Sequence, residues 1–270
     1  MSDRPAFLGS IPRLYESLLV PLIFEPYPRH MTDRLASRPL RKVLEIAAGT
    51  GVLTRRLAAV LPEDVAIVAT DLSPAMLEEA ARIGTTRSVE WRQADAFDLP
   101  FESETFDAVV CQFGAMFFED KGAAFAESRR VLKTPGVFLF SVWDRIEENE
   151  FADVVTDALG SRFPDDPPRF LARIPHGYND PAMIERDVRA GGFTARPDIA
   201  TIAERSRANS PRDPAVAYCS GTPLRTEIED RDPGALEEAT DLATEAIAKR
   251  FGRGAVDGKI QAHIVSVEKT

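Results

Sequence analysis

Cysteine is nearly absent from this chain: Cys111 and Cys219 are the two in 270 residues. Two thiols build no disulfide framework, and neither sits in a CxxC or zinc-type spacing. That usage fits a reducing compartment, the cytoplasm. The three histidines, His30, His176 and His263, are not spaced as metal ligands, so no metal is expected. Lysine is scarce, 6 against 27 arginines, and no function follows from that bias. Long apolar runs are missing too. The longest lie near Leu18–Phe24, which Pro21 interrupts, and Val137–Val142. Both fall far short of the roughly 20 residues that cross a bilayer, so no membrane span is expected. The opening Met1–Pro5 is polar and leads into no signal-peptide core. The formal charge of −10, from 43 acidic and 33 basic residues, argues against a nucleic-acid partner. There is no internal repeat and no low-complexity tract. A length of 270 residues allows one large domain or two small ones.

What is present is alternation. Val43–Ala47 is a short apolar run that ends in glycines, and Leu53, Leu57, Val60 and Leu61 then recur at helical spacing. Val65–Thr70 is a second apolar run. Ser73 and Pro74 read as N-cap and first position of a helix that carries Met76, Leu77 and Ala80 on one side. Strands are predicted at Val89–Arg92, Phe106–Cys111 and Gly136–Trp143. Asp120 caps a helix running to Leu132, and Lys133–Gly136 reads as a turn. Strand, helix, strand, with near-continuous apolar strands, marks a parallel sheet covered on both faces. The predicted fold class is therefore α/β: a doubly wound, mostly parallel sheet with an antiparallel last strand and a helical cap. Three segments are expected: an N-terminal helical arm (1–39), the sheet core (40–143), and a C-terminal part (144–270) that completes the sheet and supplies cap helices. In the last, Pro181–Gly191 reads as helix and Phe193–Glu204 as a sixth strand. A helix over 234–251 is expected to have Asp232 as cap, Pro233 at its first position and Gly252 just past its end. Lys259–Val267 reads as the last strand.

The chemistry-bearing residues fall at the predicted strand ends. The first strand closes on Glu45-Ile46-Ala47-Ala48-Gly49-Thr50-Gly51. A glycine turn between strand and helix lets backbone approach a ligand and aims helix N–H groups at it. The dinucleotide fingerprint G-x-G-x-x-G is incomplete, because Thr54 stands where its third glycine belongs, and there is no P-loop. Asp71 follows the second strand, where an acid can accept from ribose hydroxyls. Asp95 follows the third strand, and Gln112-Phe113-Gly114 follow the fourth.

These motifs, taken in order, resemble class I S-adenosylmethionine-dependent methyltransferases. The motifs are E-x-x-x-G-x-G, an acid ending strand two, D-A-x-x-L-P-F after strand three, and L-K-x-P-G before strand five. The closest flavour is the small-molecule branch similar to ubiquinone/menaquinone C-methyltransferase-like proteins. The resemblance is strong over residues 40–143 and weaker outside. It implies a Rossmann-like fold, S-adenosyl-L-methionine as cofactor and S-adenosyl-L-homocysteine as product. It implies that Ala47, Gly49 and Gly51 line the methionine part, with Ala47 departing from the usual glycine. Glu45 would orient the turn or the cofactor's amino group. Asp71 would hold the ribose diol, and Leu72 and Met76 would touch adenine. Asp95 would accept from the adenine amino group, beside Ala96 and Phe97. Gln112 and Phe113 would lie under the sulfonium. In this branch the N-terminal arm can close over the cofactor, which brings in Tyr15, Phe24 and Tyr27.

Plainer readings stand beside these. Asp71 could merely cap the helix at Ser73, Asp95 could be a turn residue (a role that suits Asp98 better), and Met76 could be core. Valine at position 51 is expected to clash with ligand more than with core. Cys111 reads as inert core, His263 as structural and Trp143 as a rim aromatic. His30, His176 and Tyr27 are the candidate bases. Transfer from a sulfonium needs alignment and exclusion of water more than covalent help, so a catalytic triad is not required. The reading is methyl transfer by in-line displacement to a small, partly apolar acceptor between the arm, Phe113, Trp143 and residues 145–180. The alternatives are a cofactor-binding homologue without transfer activity and a nicotinamide-dependent oxidoreductase. The acceptor, the methylated atom and the oligomeric state are not legible.

Overall fold

The computed structural model describes residues 11–270; the polar opening of the chain and the first ten residues of the 1–39 arm lie outside the described residues. The strands are β1 (Lys42–Glu45), β2 (Ala66–Asp71), β3 (Glu90–Gln93), β4 (Phe106–Gln112), β5 (Leu132–Trp143), β6 (Asp198–Ala208) and β7 (Val256–Lys269). They form one sheet in the order β3-β2-β1-β4-β5-β7-β6. β1 pairs in parallel with both β2 and β4, β2 with β3, and β4 with β5. β7 and β6 add the antiparallel end. The chain winds outward in opposite directions from β1, so the strand order reverses between β1 and β4. Open α/β sheets bind ligands at such a switch point.

The predicted burial holds for the central strands. Val43, Leu44, Ala108, Val109, Val110, Phe138, Leu139 and Phe140 are all fully buried. β3 departs from it: as an edge strand it leaves Glu90, Arg92 and Gln93 exposed. Both helix caps form as expected. Ser73 Oγ accepts from Met76 N at 3.4 Å ahead of Pro74, and Asp120 Oδ1 accepts from Ala123 N at 2.9 Å.

Several boundaries differ, among them that the last strand runs Val256–Lys269 and not Lys259–Val267. The late helix begins at Leu236, not at Pro233, because Gly234 has φ 107°, outside helical range, and the Asp232 carbonyl accepts from Ala235 N in a turn. β6 begins at Asp198 rather than Phe193. The chain is still leaving the turn at Gly192 (φ 84°), and Phe193 is stacked on Phe138. The Lys133–Gly136 turn is a bulge inside β5, since Leu132 pairs with Phe106 but Val137 with Ala108.

Packing divides the chain into two compact units. One comprises 27–142, 178–202 and 262–270 and holds β1 to β4. The other comprises the described residues to Pro26, 143–177 and 203–261. In the second, the helices Glu150–Arg162, Arg212–Gly221 and Leu236–Phe251 bury Phe151, Val155, Leu159, Tyr218 and Ile247. Phe151 meets Phe251 edge-on, with ring centroids 5.0 Å apart. The arm contributes a π-helical segment, Tyr15–Phe24, with Pro21 inside it. Among the described residues no helix is long and apolar enough to cross a membrane.

Candidate functional site

Glu45 ends β1 and is 1% exposed. Its Oε2 accepts from Thr54 Oγ1 at 2.6 Å, and its carbonyl accepts from Thr70 Oγ1 at 2.9 Å. Burial pushes this carboxyl up to about 8, with Asp71 adding, against the Thr54 hydrogen bond and the Arg55 charge. The turn that follows is stitched to both neighbouring strands. Ile46 N donates to the Val110 carbonyl and Ala48 N to the Thr70 carbonyl, each at 2.9 Å. It passes through three left-handed residues: Ala47 (φ 53°), Gly49 (56°) and Gly51 (85°).

The two glycines have different surroundings. A Cβ on Gly49 would meet no protein atom within 4 Å, so this backbone borders open space. A Cβ on Gly51 would lie 2.9 Å from Trp91 Cη2 and 3.3 Å from Ala80 Cβ. The expectation that a side chain at 51 would strike ligand more than core is therefore corrected. Trp91, on β3, covers that position.

Asp71 ends β2 and ties the turn to the next helix. Its Oδ2 accepts from Gly49 N and its Oδ1 from Ser73 N, both at 2.8 Å. Burial raises its pKa against these backbone donors. Leu72 N is a third backbone donor to the same carboxylate. Leu72 beside it is 45% exposed, whereas Met76 is 3% exposed and packs in the core.

After β3, Ala94 N donates to the Asp71 carbonyl at 3.1 Å. Asp95 Oδ1 accepts from Phe97 N at 3.1 Å, so the turn role expected of Asp98 belongs to Asp95. Asp95, Ala96 and Phe97 are half-buried, and the Phe97 ring meets Phe118 at 6.1 Å.

β4 ends on Gln112, 8% exposed, and bends at Phe113, whose φ is 54°. Phe113 N donates to the Ser141 carbonyl (3.1 Å) and to Ser141 Oγ (3.2 Å). Tyr27 packs edge-on against the Phe113 ring, centroids 5.1 Å apart. The two turns touch: a Cβ on Gly114 would lie 2.4 Å from Ala47 Cβ. Met116 and Phe118 are buried, and Phe117 is half-buried.

The candidate bases have structural duties. Tyr27 is fully buried and its hydroxyl donates to the Ile202 carbonyl at 3.5 Å; His30 is half-buried with its ring 6.2 Å from Tyr27. His176 Nδ1 donates to the Asp144 carbonyl at 2.8 Å, which fixes a neutral tautomer, and burial holds the ring down to about 4. His176, Trp143, Phe24 and Tyr15 belong to the second unit. There Trp143 is buried, with His176 at 6.1 Å and Phe24 at 5.8 Å, and Tyr15 stacks on Phe24 at 5.0 Å. His263 Nδ1 pairs with Thr201 Oγ1 at 3.0 Å. Cys111 and Cys219 are buried, and burial pushes both thiols up to about 12. No metal-ligand cluster occurs among the described residues.

One unit thus brings together Glu45, Ala47, Gly49, Asp71, Leu72, Asp95, Gln112 and Phe113 at the carboxyl ends of β1 to β4. A turn with open space before Gly49, a carboxylate at its side and an exposed leucine fit a nucleoside bearing a small charged tail. Sequence reading missed Thr54 and Ser141. The signal for Thr54 was the hydroxyl in place of the third glycine.

Residues 44–140 match the family described as methyltransferase domain. The ubiquinone/menaquinone biosynthesis C-methyltransferase of Teredinibacter turnerae is 38% identical over 106 residues, 38% of this chain and 43% of that protein. The chain thus spans less than half of that relative. The protein of the same description from Paraburkholderia phymatum is 34% identical over 172 residues, 58% of this chain and 69% of that one. Among solved structures, a candidate methyltransferase of Bacillus halodurans superposes with TM-score 0.59 at 19% identity, covering 90% of this chain and 98% of its own. The [4+2]-cyclase SpnF superposes with TM-score 0.55 at 17% identity, covering 91% and 82%. At these identities the two structures bear on fold alone. The Paraburkholderia match spans more than two thirds of its relative at 34% identity, and so this chain belongs to the class I S-adenosylmethionine-dependent methyltransferases.

Proposed function

We propose that the protein binds S-adenosyl-L-methionine at the carboxyl ends of β1 to β4. It then transfers the methyl group in line to a small-molecule acceptor, releasing S-adenosyl-L-homocysteine. The observation that carries this reading is the Asp71 carboxylate, anchored by Gly49 N and Ser73 N beside the open space at Gly49. An acid ending the second strand, with acceptor capacity left beside its backbone donors, suits a ribose hydroxyl. Glu45 orients the turn or, directly or through water, the cofactor's amino group; Ala47 and Gly49 give the backbone room there, while Gly51 shapes the turn from behind. Leu72 is the apolar adenine contact, with Met76 packed beneath it. Asp95, Ala96 and Phe97 border the base. Gln112 and Phe113 border the sulfonium, and Tyr27 supports Phe113. The chain's part in the chemistry is alignment and exclusion of water. A small-molecule acceptor is favoured by the two relatives' description and by the charge of −10.

Cofactor binding without methyl transfer is a second reading, because the turn and the Asp71 carboxylate bear on binding and not on transfer. Calorimetric titration with S-adenosylhomocysteine and with NAD, followed by transfer from methyl-labelled S-adenosylmethionine into a small-molecule extract, separates the readings. Homocysteine-form binding with label entering small molecules is expected. NAD binding instead would overturn the cofactor, and binding without label transfer would leave the second reading.

A further inference from the structure

An open groove of about 500 Å³ lies at the amino ends of β4 and β5, at the other end of β4 from Gln112. Glu104 before β4, the last turn of the Lys121–Val131 helix, the glycines after the Pro181–Ala190 helix and Lys269 of β7 line it. In a chain of net charge −10, this lining carries three cations and one acid. Arg130 is already neutralised. Its guanidinium donates to both Glu127 oxygens at 2.7 Å and to the Phe101 and Leu99 carbonyls. Lys269 is 8% exposed, yet its ammonium has one short hydrogen bond, to the Leu132 carbonyl at 2.6 Å. Its contact with the Glu104 carboxylate is long, 3.4 Å, and the Glu104 side chain is 60% exposed, so solvent screens that pair. Arg129 is half-buried, and a Cβ on Gly192 would stand 3.5 Å from its Cδ. Among the described residues its guanidinium makes no hydrogen bond, ion pair or ring contact. Helix ends draw cations to their last carbonyls, which accounts for Lys269 on Leu132 but not for Arg129.

We propose that this groove binds a small organic phosphate, its phosphoryl oxygens shared between the Lys269 ammonium and the Arg129 guanidinium. A planar guanidinium takes two oxygens of one oxyanion side by side, and an ammonium takes a third as a point charge. A phosphate monoester supplies three such oxygens and a carboxylate only two. The volume falls within the roughly 300–1,000 Å³ of small-molecule sites, and Ala126, Ala190 and Gly192 leave space for the ester's carbon skeleton. Glu104 is the competitor: its carboxylate stands where an oxyanion would, beside Lys269, and the ligand displaces it. The groove shares no residue with the cofactor site, so the two assignments stand or fall separately.

The test is calorimetric titration of the full chain with glycerol 3-phosphate, inorganic phosphate and glycerate at constant ionic strength, with and without saturating S-adenosylhomocysteine. Glycerol 3-phosphate is expected to bind at one site, about tenfold tighter than either of the other two, and no weaker when S-adenosylhomocysteine is present. Arg129→Ala removes a side chain with no polar partner in the protein. It should keep the melting midpoint and weaken glycerol 3-phosphate about tenfold or more. Glu104→Gln removes the competing charge and should tighten it, about threefold. Lys269→Met should abolish binding; if that variant unfolds, Arg129→Ala and Glu104→Gln decide. The proposal is overturned if glycerate or inorganic phosphate binds as tightly as the ester, or if S-adenosylhomocysteine competes with it. Wild-type affinity in both Arg129→Ala and Glu104→Gln, or no binding of glycerol 3-phosphate at all, overturns it equally.

Discussion

Ala47 after β1 and Phe113 after β4 share a left-handed backbone, with φ of 53° and 54°, and their turns meet at Gly114. An L-residue pays about 1–2 kcal/mol for that conformation. The two turns offset it differently. The first is made of small residues and is held by backbone bonds to β2 and β4, leaving space before Gly49. The second buries a large ring, with Ser141 accepting twice from Phe113 N and Tyr27 against its edge. Burial of such a ring contributes roughly 1.5–3 kcal/mol, enough to hold the strain. One turn is shaped to leave room, the other to fill it.

Within the first turn the contrast is sharper still. Gly51→Val combines a left-handed β-branched residue with contacts on Trp91 and Ala80. It should lose about 2–6 kcal/mol of stability in urea unfolding. Gly49→Ala meets no protein atom and should lose only about 1 kcal/mol, while weakening S-adenosylhomocysteine more than tenfold in a titration. Equal effects on stability would erase the distinction between the glycines.

Phe113→Gly removes the ring and relieves the backbone, for a net loss of about 2–4 kcal/mol by denaturant midpoint. If the variant is instead stabilised, the ring does not hold the second turn. Asp71→Ala should cost S-adenosylhomocysteine binding about 1.5–3 kcal/mol by calorimetry; unchanged affinity would remove the carboxylate from the site. The smallest effect is expected for Ala47→Gly. It trades strain against chain entropy and should change the melting midpoint by about 1 kcal/mol or less, in the stabilising direction.

The strand ends were legible because each carries its chemistry in local sequence. Glu45, Gly49, Asp71 and Asp95 follow apolar runs, and the helix caps at Ser73 and Asp120 announce themselves. What was not legible depends on residues distant in the chain. Trp91 closes over Gly51 from 40 positions away, and nothing near Gly51 says so. The Thr54–Glu45 bond joins a strand end to a helix nine residues on, once the turn has folded back. Phe113's backbone strain is set by Ser141. At Asp232-Pro233 the local helix-start signal is overridden, since Gly234 takes a conformation that delays the helix. The short β3 reads as apolar by its neighbours' pattern, but edge position overrides it.

That edge has a further consequence. Trp91 turns toward the first turn, while Glu90, Arg92 and Gln93 face outward on a strand of four residues. A longer, flat, apolar rim would offer its unpaired amides and carbonyls as a template for another chain. Here the rim is short and carries both signs of charge, so an incoming strand would have to strip water from Glu90 and Arg92 before it could pair. The strand that braces this glycine turn from behind thereby also guards its own edge of the sheet against aggregation.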